Sequence, residues 1–281
     1  MRTLIAGAAG MLGQDVADAC VERGHDVYAL GRDQLDITDA EMCREVVDEV
    51  RPKAVINCAA FTDVDGAEAD EDGAMLVNDT GAALLAGAAA KQGAKVIYVS
   101  SDYVFDGRRR RPYIESDVTE PISAYGRSKQ AGETSTAAAN PFHLIVRSSW
   151  LYGVRGHNFV ETMLRLANEQ PEVIVVSDQV AAPTYTRHLA PVLAELAEGE
   201  EWGIHHAAAS GRCSWFDFAQ EIFDQTGSEC RVMAGTTEML GRPAPRPAFS
   251  VLASEREGAR ALPDWREGLR AYLAERKAAL A

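Results

Sequence analysis

Lysine is scarce in this chain: only five of its 28 basic residues (Lys53, Lys91, Lys95, Lys129 and Lys277) carry an ammonium. Acidic residues number 42, and the formal net charge is −14. A nucleic-acid partner needs a basic footprint against its phosphates, so this balance excludes that class of function. Low lysine with abundant acid and alanine fits either a protein kept in high salt or a GC-rich coding sequence. Stability that rises into molar salt belongs to the first and indifference to salt to the second. Cysteine is also sparse. The five thiols (Cys20, Cys43, Cys58, Cys213, Cys230) are scattered with no CxxC pair, which points to reduced thiols in a cytoplasm rather than a disulfide frame or a zinc site. No apolar run approaches the length that spans a bilayer. Glycines interrupt "MRTLIAGAAGMLG" where a signal peptide needs continuous apolar residues, so no targeting segment is expected.

What is present is an ordinary globular composition, 47% hydrophobic and 25% charged over 281 residues, enough for one large or two modest domains. Short apolar runs alternate with helical stretches through the first half. Thr3–Ala6, Val27–Leu30, Ala54–Asn57, Val96–Ser100 and His143–Arg147 read as strands. Met11–Arg23, Asp39–Glu49, Ala74–Gln92 and Tyr125–Ala139 read as helices, with Gly24 just past the first and Thr38 or Asp39 placed to cap the second. Fully apolar strands in this rhythm predict an α/β fold with a doubly wound parallel sheet of the Rossmann type, covered on both faces. Beyond residue 150 the pattern loosens. Asn158–Glu169, Trp215–Thr226 and Trp265–Leu280 read as helices, and "GRPAPRPAFSV" (Gly241–Val251) as a proline-rich loop. The division expected is a nucleotide-binding domain over 1–150 and a smaller, mainly substrate-binding domain over 151–281. Strands near 173–177 and 203–208 are expected to return to the first sheet.

The turn "GAAGMLG" sets Gly7, Gly10 and Gly13 between the first strand and the first helix. Glycine suits a tight turn that lets backbone approach a pyrophosphate, and the helix N-terminus offers free N–H groups and a positive dipole end. At the end of the second strand, where an acid would hold the ribose of NAD, stand Gly31 and Arg32. Arg32 either takes the 2′-phosphate of NADP or faces solvent, so NADPH is the expected cofactor with NADH left open.

"YGRSK" places Tyr125 and Lys129 one turn apart on one helix face. A nearby ammonium is expected to lower the phenol pKa and suit it to deliver a proton to a developing alkoxide. "IYVSSDYVFDG" ends a strand in hydroxyls. Ligands of a doubly wound sheet sit beyond the carboxyl ends of its strands, so Ser101 is expected to hydrogen-bond and polarise a substrate carbonyl. Asp102 and Tyr103 then face the substrate or fix the loop.

With these motifs the chain resembles the dTDP-4-dehydrorhamnose reductase family of the extended short-chain dehydrogenase/reductase superfamily. The similarity runs nearly end to end through "INCAAFTDVDGAEAD", "VSSDYVFDG", "YGRSKQAGE", "RSSWLYG", "VSDQVAAPTYT", "GIHHAAASGRCSWFDFA" and "RPAPRPAFSVL". The resemblance implies reduction of the 4-keto group of a dTDP-6-deoxyhexulose to dTDP-L-rhamnose with NAD(P)H, a step of polysaccharide biosynthesis. It further implies cofactor contacts at Gly10, Met11, Leu12, Asp36, Ile37, Ala60, Phe61, Thr62 and Val99, and sugar contacts at Val64, Asp102 and Trp150. Ser101 stands where the family usually has threonine, and the hydroxyl survives. Arg242 and Arg246 in the proline-rich loop then either grip the substrate diphosphate or solubilise a surface loop. Some members use magnesium at a dimer interface. No ligand cluster in this sequence requires the metal, and a homodimer is left open. Two rivals share the fold: a nucleotide-sugar epimerase or dehydratase, and a non-catalytic NADP-binding regulatory subunit. The dehydratases place an acidic pair after the catalytic hydroxyl, whereas here Ser101 is followed by Asp102 and then Tyr103.

Overall fold

In the computed structural model, which describes residues 1–279, the first strand β1 (Arg2–Ala6) is buried along nearly its whole length. Helices must therefore cover it on both sides, and they do. α1 (Met11–Glu22) follows the glycine turn, β2 (Asp26–Leu30) and α2 (Ala40–Val50) come next, and β3 (Ala54–Asn57) pairs with the free side of β1. Asp39 caps α2, accepting from the backbone N–H groups of Glu41 and Met42. β4 (Lys95–Ser101), α6 (Ala124–Ala139) and β5 (His143–Ser148) complete the first half. Ser123 caps α6 through the Gly126 N–H at 3.1 Å.

The helix expected over Ala74–Gln92 is instead three pieces. After α3 (Gly66–Ala69) come α4 (Glu71–Met75), a π-helical turn (Leu76–Gly81) and α5 (Ala82–Lys91). Alanine-rich composition is the same in α- and π-helix, so the sequence pattern could not show the bulge. Such bulges concentrate at functional sites, and this one holds Asn78, taken up below.

The central sheet has six strands in the order β2-β1-β3-β4-β5-β10, all parallel, where β10 is Gly203–His206. The connection from β1 leads to one side and that from β2 to the other, so a crevice opens between the carboxyl ends of β1 and β3.

The second half is interwoven with the first. β6 (Leu151–Tyr152) and α7 (Phe159–Glu169) are followed by β7 (Glu172–Val176), β8 (Val180–Ala181), β9 (Thr184–Tyr185) and α8 (Thr186–Glu198). The return of a strand near 203–208 is seen in β10. The return near 173–177 is not: β7 pairs in parallel with β13 (Arg231–Gly235) in a separate two-stranded sheet. An apolar run of five residues fits either sheet, and only the partner decides. A helix absent from the sequence reading, α8, packs Leu189, Leu193 and Leu196 into one cluster with Ile5, Val16 and Ile97 and so covers one face of the main sheet. β11 (Ala209–Ser210), β12 (Cys213–Ser214), α9 (Trp215–Thr226), α10 (Thr237–Leu240), β14 (Leu262–Asp264) and α11 (Trp265–Ala279) complete the order. Leu280, expected to end the last helix, lies outside the described residues. Around Tyr152, Val160, Phe218, Ile222, Trp265 and Leu269 a second core forms, separate from the sheet clusters. No described helix is long and apolar enough to cross a membrane.

Candidate active site

The glycine turn is built for contact between backbones. Gly7 has φ +73°, and a Cβ there would lie 2.5 Å from the Ala59 nitrogen just past β3. A Cβ on Gly13 would lie 2.3 Å from the Gly7 carbonyl oxygen. These contacts close the crevice between β1 and β3 as tightly as main chain allows. Gly10 is the N-cap of α1, with no side-chain cap bond and no acid in the first turn. By contrast α2, α6, α7 and α9 are capped by Asp39, Ser123, Asn158 and Ser214. The N–H groups at Met11 and Leu12 are thus left for an anion, with the helix dipole behind them. These residues fit a dinucleotide pyrophosphate.

Beyond the end of β2 lies a cavity of about 630 Å³, lined by Ala8, Gln14, Gly31, Arg32, Gln34 and Arg155 among others. Arg32 lines it while reaching Asp36 at 3.2 Å, and its side chain is 80% exposed, free to swing to a phosphate. Asp36 is held below the usual carboxylate range, first by the Thr38 hydroxyl and then by the Thr38 N–H. Ile37 is buried in the core under the sheet, so only its backbone can serve an adenine. Ala60, Phe61 and Thr62 follow β3 on the crevice side, Thr62 exposed and the other two half-buried.

At the carboxyl end of β4 the predicted hydroxyls meet α6, the helix that carries Tyr125 and Lys129. Ser101 is buried, accepts from the Tyr103 N–H at 3.2 Å and donates to Asp102 Oδ1 at 3.1 Å. Tyr125 packs its ring edge-on to Tyr103, with centroids 5.7 Å apart. It shares a small apolar cluster with Phe61, Ala67 and Ala124. Burial pushes the Tyr125 phenol up to about 12, while the Ser101 hydroxyl pulls the other way. This reverses the expectation of a lowered phenol. The physical reason is the direction of Lys129, whose Nζ donates to the Val99 carbonyl at 2.8 Å and lies 4.1 Å from the centre of the Tyr98 ring. Desolvation pushes Lys129 down to about 7, with Glu133 partly offsetting it.

That shift has a consequence for stability. Between the folded value of about 7 and the ordinary value of 10.5 the unfolded chain binds more protons, so stability rises with pH across this window and the buried ammonium costs most below it. Replacing Lys129 with methionine should therefore raise Tm relative to the wild type more at about pH 6 than at about pH 9.5. Thermal scans at both pH values check this, and a difference independent of pH would contradict it.

Asn78 is a residue the sequence reading missed. It is fully buried in the π turn and bonds in three directions. Its Oδ1 accepts from the Phe61 N–H at 2.9 Å, and its Nδ2 donates to the Phe61 carbonyl at 3.0 Å and to Ser128 Oγ at 2.9 Å. Ser128 in turn donates to the Tyr125 carbonyl at 2.8 Å. Asn78 thereby fastens the cofactor-side segment after β3 to the helix carrying Tyr125 and Lys129. The available signal was a single asparagine in an alanine-rich helix.

The expected substrate residues divide. Trp150, two residues past β5, is half-buried with φ +47°, a rare conformation for a bulky residue. Val64 is half-buried in the loop after β3. Asp102 takes the second of the two roles expected of it. It is 1% exposed, its carboxyl accepts from Ser250 and Ser101, and burial pushes it up to about 7. Its side chain thus anchors the loop at the end of β4. Arg246 is largely withdrawn from solvent, whereas Arg242 stays exposed. Both reach Asp65, at 3.2 and 2.8 Å, and the Arg246 hydrogen bond is the main reason Asp65 falls to about 2. The proline-rich loop is thus clasped to the segment after β3, and the clasp weakens only as pH falls from the ordinary carboxylate value toward about 2.

A parallel doubly wound sheet, an uncapped glycine turn at its crevice and a Ser–Tyr–Lys set at the end of β4 define an oxidoreductase class, the extended short-chain dehydrogenases/reductases. Comparison with known proteins narrows this. The family model described as RmlD substrate binding domain matches residues 1–278. The chain belongs to this family. It is 44% identical over 275 residues to a dTDP-4-dehydrorhamnose reductase of Mycolicibacterium smegmatis, covering 95% of this chain and 84% of that one. It is 41% identical over 281 residues to the spore coat polysaccharide biosynthesis protein SpsK of Bacillus subtilis, covering 99% of each. The crystal structure of dTDP-4-dehydrorhamnose reductase from Bacillus anthracis in complex with NADP superposes with a TM-score of 0.94 at 39% identity, covering 98% of this chain and 99% of that one.

Proposed function

We propose that this protein reduces the 4-keto group of dTDP-4-dehydrorhamnose to give dTDP-L-rhamnose, with NADPH as the donor. The observation that carries this reading is the convergence at one crevice of the uncapped glycine turn, the buried Ser101 hydroxyl and Tyr125, with Asn78 tying the segment after β3 to the helix that carries Tyr125. When bound, the cofactor supplies a hydride to the carbonyl carbon. The N–H groups of Met11 and Leu12 hold its pyrophosphate, and Arg32 reaches its 2′-phosphate. Lys129 lies beside Val99 on the nicotinamide side.

The chain's own groups handle the oxygen. Ser101 donates a hydrogen bond to the carbonyl and strengthens it as negative charge grows there. Tyr125 then transfers its proton to that oxygen. A phenol held near 12 is still protonated at neutral pH, which is the state a proton donor requires. Trp150 lies against the sugar, and Arg242 and Arg246 exchange Asp65 for the diphosphate. The dehydratase rival needs a second acid at the crevice, but Asp102 is shut away by Ser250 and Tyr103 follows it.

The test is loss of NADPH absorbance on adding the 4-keto sugar nucleotide, with the product identified by NMR. Binding of NADPH without turnover would instead favour the regulatory subunit. In the same assay Arg32→Ala should raise the Kd for NADPH about tenfold and leave NADH almost unchanged. An equal effect on both cofactors would remove Arg32 from the 2′-phosphate.

A further inference from the structure

Trp150 presents a problem that its own loop does not solve. Its φ of +47° lies in the left-handed region, which a bulky side chain occupies only where its surroundings dictate it. One determinant is local: the Trp150 carbonyl accepts from the Thr184 N–H at 3.2 Å. The other comes from the second core. The Trp215 ring lies parallel to Trp150, with centroids 3.6 Å apart and planes 8° from coincidence.

Trp215 is itself held firmly. It is the first residue of α9, directly after Ser214, whose side chain and that of Asp217 form a reciprocal cap. Phe159, the first residue of α7, packs on Trp215 at 4.4 Å and stacks on Phe218, which meets Trp265 edge-on at 5.8 Å. A column of aromatic rings thus runs from the crevice into the second core, with Trp150 at its open end. One face of the Trp150 indole is covered by Trp215, so only its other face and its edge remain for a ligand.

We infer that Trp215 is a positioning residue for the sugar site: by stacking on Trp150 it holds that ring in its left-handed conformation and fixes which face meets the hexose. The inference rests on the reductase reading. Trp215 does not itself touch the reacting atoms. Its effect falls on the sugar nucleotide and not on the dinucleotide, because the column lies on the second-core side of the crevice.

The experiment compares Trp215→Leu, which stays apolar but removes the stack, with Trp215→Phe, which restores an aromatic face. Trp215→Leu should raise KM for the 4-keto sugar nucleotide about tenfold, with Trp215→Phe recovering most of it. The Kd for NADPH, read by fluorescence, should be unchanged in both. The exciton couplet of the stacked indole pair in circular dichroism should vanish in Trp215→Leu. A crystal of that variant should show Trp150 relaxed to negative φ. A Trp215→Leu enzyme with lowered Tm but wild-type KM, or one whose Trp150 keeps its left-handed backbone, overturns the inference. Absence of turnover by the wild type overturns the reductase reading instead, and the Trp150 conformation in the variant still decides the positioning claim.

Discussion

Tyr125→Phe should lower kcat by roughly 10²–10⁴-fold, the range expected for loss of a general acid, and leave the Kd for NADPH close to wild type. The phenol oxygen is the group the account asks to supply the proton, and phenylalanine deletes only that oxygen. The ring itself continues to pack on Tyr103 and in the cluster with Phe61 and Ala67, so the fold and the crevice survive. Lys129 also remains anchored to the Val99 carbonyl, because its bond does not pass through Tyr125. A loss of kcat with cofactor affinity preserved therefore isolates the chemical step. Steady-state rates beside a fluorescence titration with NADPH measure both quantities, and unchanged turnover would remove Tyr125 as the proton donor.

Gly7→Ala should abolish measurable NADPH binding and lower Tm on the order of 10 °C. Two costs combine at this position. The backbone is left-handed at φ +73°, and the new Cβ would lie 2.5 and 2.6 Å from the Ala59 nitrogen and Cα. Both near atoms are main chain, so no side chain can turn aside. Left-handed strain and overpacking together cost about 2–5 kcal/mol, and in a chain of this size each kilocalorie moves Tm by about 2–4 °C. Relief requires separating the turn after β1 from the segment after β3, which is the crevice proposed to receive the pyrophosphate. Calorimetry and a binding titration on the same sample check the pair of effects. A variant with native Tm that still binds NADPH would show that the close approach is not needed.

The parts of this molecule legible in the sequence are those where local chemistry and global position agree. The five apolar runs of the first half read as strands, and β1 to β5 follow, although β2 at the sheet edge is only partly covered. The glycines of the first turn, Ser101, Tyr125 and Lys129 sit where the motif spacing places them. What was not legible depends on partners distant in sequence. Val173–Val176 has the same apolar character whether it joins the main sheet or pairs with Arg231–Gly235. Helix α8 belongs to the main sheet's cover although it lies well beyond the expected boundary at residue 150. The proximity of Tyr125 and Lys129 in sequence suggested a lowered phenol pKa. In the fold the ammonium is turned to the Val99 carbonyl, and burial decides the sign. The bonds of Asp102 to Ser250, and of Arg242 and Arg246 to Asp65, join residues far apart in sequence and were not legible in it.

Hydride delivery to one particular carbon is the claim on which the rest depends, and isotope tracing reads it directly. The protein is incubated with the 4-keto sugar nucleotide and NADPH deuterated at the transferring position of the nicotinamide, and the product is examined by NMR. One deuterium on the fourth carbon of the hexose is the predicted result. Consumption of the keto sugar with no deuterium at that carbon would contradict it.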